Sequence, residues 1–388
     1  MKIFDNFFEK IYDKDIALTG MTEELFAVYV NNLYDNKKNI LIVTSNLVES
    51  NSLYRNISNY TDNVYLFPMD DFLTSEAMAI SPDLMVTRLE TMEAISSGKA
   101  SIVITNLMGY LRYLPTKEEY LKSFLSLKVN DEISPKELVE RLTNIGYERT
   151  TLVTKTGEIG VRGFVIDIFP INEKNPIRIE LYGDEIDSIR IFDVDTQRTI
   201  KEIDSIIIAP NSEFIINQSV EYSERKQKNL INYIKPVNIG KYLDDSETIF
   251  INYSNIKIGY EQLQNQIFDY NTTEEKTNTE KYMHNLDDIK NDTIIYLESF
   301  DNKIDNVKNT KIYKTHDILP FSKEKKEINM RLNRYISNKN IVIICLGNEK
   351  RINNIIDYLE NNNIVITNEN EIFENKINVI KKVMTKGF

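Results

Sequence analysis

One stretch of the sequence stands where a nucleotide-binding protein would have its phosphate loop. Residues 16–20 (IALTG) predict a short strand that enters a turn, and a helix is predicted to follow. A phosphate loop needs glycines, whose N–H groups cradle the phosphates, and a lysine with a Ser or Thr for the terminal phosphates and magnesium. Here the turn holds Gly20 and Thr22 but no lysine, and two carboxylates follow from Glu23. Carboxylates suit a helix N-terminus but repel phosphates, so the pattern predicts a degenerate nucleotide site.

The second half of such a site is predicted to be missing as well. Residues 248–252 (TIFIN) predict a buried strand that ends at Asn252. Helicase-like folds place an acidic pair at this strand end, where the carboxylates hold magnesium and activate water. Asn252 and Tyr253 occupy those positions here, and neither is acidic. Two independent defects therefore predict that this chain does not hydrolyse ATP.

Arginines on short predicted strands offer a different chemistry. Arg162, Arg178 and Arg190 fall on adjacent strands, so at least some of them are expected to line one face. Arginine holds carboxylates with a planar fork of N–H donors. An aromatic residue beside two arginines, here Tyr182, is a typical composition for a binding hot spot. This stretch contains no nucleophile, metal cage or phosphate loop, so it predicts a docking surface rather than an active site.

The same arginines have a structural alternative. Arg162 and Arg178 could pair with carboxylates of their own sheet, as surface salt bridges that contribute little to stability. The candidate carboxylates are Asp167 and Glu180. The pattern predicts one continuous strand over residues 159–169, and alternation along it would put Asp167 on the face opposite Arg162. The alternation therefore disfavours that pairing.

The predicted elements around the arginines form a small α+β unit. An antiparallel meander of three strands is expected at 159–169, 177–181 and 186–192. A strand at 124–129, an amphipathic helix at 135–146 and a strand at 203–208 complete it.

The chain on either side of this unit predicts an α/β fold. Apolar strands alternate with helices in the first hundred residues, which favours a parallel, doubly wound sheet. Polar stretches and prolines predict boundaries that divide the chain into 1–117, 118–210, 211–316 and a small α/β domain at 317–388.

Composition excludes several classes of protein. The formal net charge is −12, from 47 basic and 59 acidic residues, so a basic footprint for DNA over the whole chain is absent. The single cysteine, Cys345, excludes a disulfide framework within the chain and fits a reducing cytosol, which predicts a cytoplasmic protein. No apolar run approaches the roughly 20 residues that cross a bilayer, so no membrane association is expected.

The stretch that carries the arginines also resembles a known family. GEIGVRGFVIDIFP followed by IRIELYGDEIDSIRIFDVDTQRT (157–199) is similar to the second domain shared by the excision-repair protein UvrB and the bacterial transcription-repair coupling factors (Mfd). The ending FDVDTQRT is more similar to the coupling factors. FPMDDFLTSE (67–76) and SPDLMVTRLETM (81–92) also resemble the first domain of that family.

The resemblance implies a fold for each segment. Residues 1–117 and 211–316 would form the two parts of a degenerate RecA/P-loop-like domain that has lost its ATP loop. Residues 118–210 would be the inserted domain that binds UvrA, and residues 317–388 the small third domain. The sequence stops without a closing helix, so a piece of a longer protein is expected.

The resemblance also implies a function. The chain would be the adaptor region that recruits UvrA to stalled RNA polymerase for transcription-coupled nucleotide excision repair. The implied UvrA-binding residues are Arg162 in VRGF, Arg178 in IRIE and Tyr182 in LYGD. ATP, magnesium, RNA polymerase and DNA would be bound only by motor and polymerase-binding domains beyond residue 388. In the family, a C-terminal domain masks the UvrA-binding surface, so an intramolecular contact is also implied.

An enzymatic alternative remains open at this point. The chain would then be an ATP-dependent, UvrB-like or helicase-like DNA repair enzyme with an unorthodox nucleotide site. UvrB itself would need an intact phosphate loop followed by an aromatic-rich hairpin that clamps DNA. The stretch after Gly20 has neither of these features.

Overall fold

A computed structural model gives the fold of most of the chain. It describes residues 8, 16–35, 38–70, 82–216, 220, 226–273, 281–289, 293–298, 307, 309–319, 321, 324–359, 363–384 and 387–388. The apolar pattern of residues 1–15 predicts an amphipathic helix, but apart from Phe8 that stretch lies outside the described residues, as does most of the motif at 67–76.

Strands and helices alternate at both ends of the chain, and strands dominate the middle. The strands are β1 (Ile16–Thr19), β2 (Asn39–Thr44), β3 (Val64–Phe67), β4 (Ile102–Asn106), β5 (Leu125–Lys128), β6 (Glu148–Thr150), β7 (Glu158–Arg162), β8 (Val165–Ile168), β9 (Ile177–Tyr182), β10 (Glu185–Phe192), β11 (Thr199–Ile203), β12 (Ser205–Ile208), β13 (Ser246–Ile251), β14 (Thr293–Glu298), β15 (Asn309–Ile312), β16 (Val342–Leu346), β17 (Ile364–Thr367) and β18 (Ile377–Lys381). The α-helices are α1 (Glu23–Asp35), α2 (Leu47–Ile57), α3 (Pro82–Ser96), α4 (Leu107–Leu111), α5 (Lys117–Lys122), α6 (Pro135–Asn144), α7 (Tyr253–Thr273), α8 (Lys325–Ser337) and α9 (Glu349–Leu359). Short 3-10 helices span Gln227–Asn232 and Ile239–Tyr242.

The first layer of the fold is a seven-stranded sheet in the order β15-β1-β14-β13-β2-β4-β3. All of its pairings are parallel. Successive residues of β2 lie in different apolar cores, with Leu41 packing on one face of the sheet and Ile42 on the other. Helices α1 and α2 contribute to one core, and α3, α4 and α7 contribute to the other. The predicted parallel α/β sheet with helices on both faces is therefore confirmed.

The middle of the chain forms a second sheet of six strands, β6 to β11, paired in sequence order. The β6–β7 pairing is parallel and the other four are antiparallel. One face packs on Leu138 and Leu142 of α6, in a core made mostly of isoleucine and leucine. Ser134 begins that helix by accepting a hydrogen bond from the backbone N–H of Glu137, with Pro135 in the first turn. Strands β5 and β12 pair beside this sheet.

The prediction of a single strand over residues 159–169 is wrong. The chain reverses at a two-residue turn, where Gly163 has a φ of 63°, so β7 and β8 form a hairpin. A glycine takes this left-handed conformation without the steric cost that a side chain would bring. Within the hairpin, Arg162 lies opposite Val165 and Gly160 lies opposite Asp167. Opposed residues share a face in an antiparallel pair, so Asp167 lies on the same face as Arg162.

The C-terminal part forms a three-stranded parallel sheet in the order β16-β18-β17, packed on α8 and α9. Its other face turns towards the first sheet, because Ile380 and Cys345 join the apolar cluster that contains α1 and α2. Burial raises the pKa of the Cys345 thiol to about 11, which disfavours the reactive thiolate. These surroundings are those of a structural thiol, as expected for a cysteine inside the apolar run 341–346.

The polar residues 270–291 predict a mobile loop with a solvated His284, and this prediction is partly wrong. Helix α7 continues to Thr273, and Tyr282 and Leu286 are buried against the body of the protein. His284 is partly buried, and its ring packs edge-on against Tyr113 with 4.7 Å between centroids. Residues 274–280, 290 and 291 of that prediction lie outside the described residues.

A buried ionic cluster joins the middle domain to the first sheet. The carboxylate of Glu213, just after the six-stranded domain, accepts hydrogen bonds from Nε of both Arg88 and Arg112. Arg88 lies on α3, and its Nη1 also donates to the carbonyl of Pro68 at 3.0 Å. All three charged residues are at most 5% exposed. Burial alone would raise the pKa of Glu213, but the two guanidinium groups outweigh burial and lower it overall.

Replacing Glu213 with alanine is expected to destabilise the fold by about 3–5 kcal/mol, because two guanidinium groups would stay buried without a counter-ion. Denaturant unfolding followed by circular dichroism measures the change. Glu118→Ala is the matched control, because Glu118 forms an exposed pair with Lys122 one helical turn away. A loss of stability no larger than that of the control would contradict the structural importance of the cluster.

The lowered pKa of Glu213 also predicts a pH dependence of stability. The stabilisation that its charge provides is complete above the ordinary glutamate pKa of about 4.3 and is lost as the pH falls through the lower pKa of the folded state. Glu213→Gln cannot gain this stabilisation. The stability difference between wild type and Glu213→Gln should therefore be largest near neutral pH and shrink in acid. Urea unfolding at several pH values measures it, and a constant difference would contradict the assignment.

Candidate functional site

The outer face of the six-stranded sheet, opposite α6, carries a row of charged side chains. Cross-strand pairing aligns Asp167 on β8 with Arg178 on β9, and Arg178 with Arg190 on β10. Arg162 projects on the same face near the end of β7. The alternation of the strands explains this, because their other residues fill the isoleucine-rich core over α6. The structure thus brings the three sequence-predicted arginines onto one face.

Asp167 is the centre of this row. Its carboxylate accepts a hydrogen bond from Nη2 of Arg162. It also accepts two from Arg178, from Nε at 2.7 Å and from Nη2 at 2.9 Å. Asp167 is only 2% exposed, whereas an isolated carboxylate would stay in water. The argument from alternation against an Arg162–Asp167 pair is therefore wrong, because the β7–β8 turn places both residues on one face.

The two arginines differ in how much of each side chain remains available. The Arg178 side chain is 21% exposed, and its guanidinium lies over the Phe192 ring at 4.6 Å. It also donates to Oε1 of Gln197 at 3.2 Å, and hydrogen bonding to Asp167 raises its pKa. The Arg162 side chain is 53% exposed. Among the described residues, only Asp167 accepts a hydrogen bond from it. Arg162 therefore offers most of its donors to solvent.

Two exposed aromatic side chains stand at the tips of neighbouring hairpins. Tyr182, at the end of β9, is 84% exposed, and Phe164, in the β7–β8 turn that follows Arg162, is 57% exposed. The tips are adjacent, because the backbone N–H of Leu181 donates to the carbonyl of Phe164 at 2.9 Å. Exposed arginine and aromatic residues in one region of the surface are a composition enriched at protein interfaces.

Arg190 belongs to a separate charge pair on the same face. Its Nη1 donates to Glu180 at 3.0 Å and its Nε donates to Glu202 at 3.2 Å. Two carboxylates thus outnumber this arginine and leave a net charge of −1 there, whereas Arg162, Arg178 and Asp167 together carry a net charge of +1, so the positive charge of the face lies towards Arg162.

The turn after β1, the predicted nucleotide site, is filled by the protein itself. Gly20 has a φ of 73°, and a Cβ there would lie 2.1 Å from the carbonyl oxygen of Tyr313. Thr315 bridges the turn, because its Oγ1 donates to the Gly20 carbonyl at 2.6 Å and accepts from the N–H of Thr22 at 3.0 Å. An N–H group that would face a phosphate therefore already has a partner.

The other residues of the predicted nucleotide site have structural partners too. The Glu23 carboxylate accepts hydrogen bonds from Ser52 at 2.8 Å and Asn56 at 2.6 Å, which ties the start of α1 to α2. Asn252, at the end of β13, has a φ of 50° and donates its N–H to the Leu297 carbonyl at 2.7 Å. Strand β14 lies between β1 and β13 in the sheet, so the Gly20 turn and Asn252 follow strands that are not direct neighbours.

Sequence reasoning missed two residues of the outer face. Alternation along one continuous strand does not reveal the β7–β8 turn, so it disfavours Asp167 as a partner for Arg162. It also places Phe164 in the interior of a strand. The signal that could have revealed the turn is Gly163 between two runs of alternating apolar residues.

Neither metal coordination nor membrane insertion is indicated where the structure describes the chain. No three His, Cys, Asp or Glu side chains in this part are grouped as they would be around a metal ion. None of its helices is long and apolar enough to cross a membrane.

Comparisons with known proteins agree with this geometry. The family model described as the UvrB interaction domain matches residues 125–214, which include the outer face. The transcription-repair-coupling factor of Bacillus subtilis strain 168 is 34% identical over 206 residues, which are 52% of this chain and 18% of that protein. That of Staphylococcus epidermidis strain RP62A is 32% identical over 240 residues, 60% of this chain and 20% of that protein.

The chain spans about a fifth of the length of the curated relatives it matches. Their names place them in transcription-coupled DNA repair. The chain therefore carries a UvrB interaction domain and is related, over about half of its length, to the transcription-repair-coupling factors, as its sequence motifs predicted.

Proposed function

We propose that this chain is the adaptor region of a transcription-repair coupling factor and that it recruits UvrA through the outer face of its UvrB interaction domain. The observation that carries the proposal is the half-exposed side chain of Arg162 together with the exposed ring of Tyr182 on the outer face of a sheet that belongs to this domain family. A rigid sheet holds these groups in place before binding, which lowers the entropic cost of association.

The charges of the face indicate what it binds. Asp167 neutralises one of the two neighbouring arginines, whereas Arg190 pairs with two carboxylates of its own and is outnumbered by them. One local positive charge therefore remains near Arg162, on a chain whose net charge is −12. A partner that presents a carboxylate to this guanidinium and an apolar surface to the Tyr182 ring fits the face.

Arg162 and Arg178 have different roles in this proposal. Arg162 keeps Nε and Nη1 available for a partner carboxylate. Arg178 has committed Nε and Nη2 to Asp167, so only Nη1 is left to reach a partner. The proposal therefore assigns direct contact mainly to Arg162 and Tyr182, and assigns to Arg178 both a lesser contact and the support of its neighbours.

The remaining parts of the proposal follow from the family. Residues 1–117 and 211–316 would be the two parts of one RecA-like domain, residues 118–210 the UvrA-binding insertion, and residues 317–388 a small third domain. RNA polymerase and DNA would be partners of the rest of a longer protein. A C-terminal domain that masks the outer face would compete with UvrA for the same surface.

We also propose that this chain binds no nucleotide and has no ATPase activity, so that ATP and magnesium would belong only to motor domains. The blocked turn after β1 supports this, because Thr315 and Tyr313 occupy the space beside Gly20. Glu23 carries a carboxylate where a nucleotide site would need hydrogen-bond donors to the phosphates. Asn252 is neutral where such a site would need an acidic magnesium ligand. No observation favours the alternative of an ATP-dependent repair enzyme.

Alanine substitution on the outer face tests UvrA recruitment. Arg162→Ala and Tyr182→Ala should each weaken UvrA binding by about 1–4 kcal/mol, as expected for hot-spot residues, with little change in melting temperature. Arg178→Ala should weaken it within the same range, but with a lower melting temperature, because the Asp167 pair and the Phe192 contact are lost. Calorimetry with purified UvrA and thermal unfolding give the two quantities.

Arg141→Ala is the matched control for these variants. Arg141 is an exposed arginine of the same domain, but it lies on α6, on the opposite side of the sheet, paired with Glu137. It should bind UvrA like wild type. Wild type that does not bind UvrA, or equal losses in the Arg141 and Arg162 variants, would contradict recruitment through the outer face.

A nucleotide titration tests the absence of an ATP site. We expect no calorimetric signal for ATP with magnesium at micromolar to millimolar concentrations, because the turn after β1 is already hydrogen-bonded within the chain. A protein of known ATP affinity is the positive control. Micromolar affinity for ATP would overturn this part of the proposal and favour the enzymatic alternative.

A further inference from the structure

The outer face contains a buried carboxylate that the proposed contacts do not use. Asp167 is 2% exposed, so a partner cannot reach it directly. Its carboxylate nevertheless holds Arg162, the guanidinium most available to a partner, through Nη2. Asp167 cancels one of the positive charges on a surface that is proposed to bind an acidic partner. A buried carboxylate at this position therefore needs another role.

We infer that Asp167 is a positioning residue for partner binding: it fixes the guanidinium of Arg162 so that the remaining donors of Arg162 point away from the sheet. The inference rests on the proposed function of this face. A free arginine has many rotamers, and ordering its side chain on binding has an entropic cost. A hydrogen bond to a buried carboxylate already restricts those rotamers in the unbound protein.

The surroundings of Asp167 make it a rigid anchor. Arg178 donates two hydrogen bonds to the carboxylate. Its guanidinium also lies over the Phe192 ring and donates a hydrogen bond to Gln197, which restrict its movement. Gly160 lies opposite Asp167 on β7, and a Cβ there would lie 3.3 Å from Cγ2 of Val153 and 3.8 Å from Cβ of Asp167, so the base of the Asp167 side chain is closely packed.

The positioning role makes a prediction that differs from simple charge balance. Asp167→Asn adds one positive charge to the face, so electrostatics alone would strengthen the binding of an acidic partner. If positioning dominates, the variant should instead bind about tenfold more weakly, because a hydrogen bond to a charged group is lost. The loss should lie in a faster dissociation rate, while the association rate should not fall.

A double-mutant cycle in the full chain separates positioning from a general structural effect. UvrA affinity is measured for wild type, Asp167→Asn, Arg162→Ala and the double variant, with Glu180→Gln as the matched control. Glu180 is a carboxylate of the same face that pairs with Arg190 instead. If Asp167 acts through Arg162, Asp167→Asn should have no further effect on UvrA affinity once Arg162 is absent. If the double variant shows the full additional loss, or if Asp167→Asn binds as well as wild type, the inference is overturned.

A second measurement does not need the partner. Selective arginine labelling and nitrogen-15 relaxation report the order of the Arg162 Nε–H group in the unbound protein. Its order should fall in Asp167→Asn and stay unchanged in Glu180→Gln, and equal order in wild type and Asp167→Asn overturns the inference. Should Asp167→Asn fail to fold, Asp167→Glu takes its place, since it keeps the charge but displaces the carboxylate.

The two measurements distinguish the two ways in which the idea can fail. Wild type that does not bind UvrA overturns the proposed function, and with it any role of Asp167 in recruitment, whatever the order of Arg162. Wild type that binds UvrA while Arg162 stays ordered without Asp167 overturns the positioning role alone.

Discussion

The return of the chain from the six-stranded domain to the parallel sheet depends on one buried carboxylate. Glu213 follows the last strand of that domain and meets Arg88 from α3 and Arg112 from the segment after α4. Leu89 and Val86, also on α3, pack with Ile171 of the six-stranded domain in a small apolar cluster. Helix α3 therefore serves both units, and ionic and apolar contacts join them at the same place. A buried pair of this kind adds specificity to an interface, because a shifted arrangement would leave charges unpaired.

A second ionic cluster of one carboxylate and two arginines has a different role on the outer face of the six-stranded sheet. There a buried carboxylate again holds two guanidinium groups, but the site opens to solvent on the side of Arg162. One cluster is closed and joins two parts of the molecule. The other is open and leaves donors for a partner. The contrast shows how the depth of an arginine, rather than its presence in the sequence, decides whether it supports the fold or is available for recognition.

Much of the architecture could be predicted from hydrophobic pattern alone. Residues 40–43 of β2 and 102–104 of β4 are apolar at every position, because both faces of a parallel sheet are buried, and this is what their sequence indicates. The hairpin at Gly163 could not be predicted in the same way. The alternating pattern of residues continues from β7 through the turn into β8, so periodicity alone predicts one strand. That single error reversed the face of Asp167 and concealed the centre of the charged row. The degenerate nucleotide site was predicted from missing residues, but only the structure reveals that Thr315, far along the chain, fills the turn.

The pairing of the first sheet has a consequence for how the chain folds. At the centre of this sheet β2 pairs with β13, which places Asn39 beside Ser246. Strand β1 pairs with β15, which is also far along the chain. The six-stranded sheet between them pairs only strands that are neighbours in sequence, which favours rapid formation, and β12 closes this part of the chain by pairing with β5. During synthesis from the N-terminus, strands β1 to β4 are therefore made, and the middle domain can fold, before the strands that complete the first sheet exist. Until β13, β14 and β15 leave the ribosome, one edge of β2 and both edges of β1 lack their partners and are open to mispairing and to chaperones.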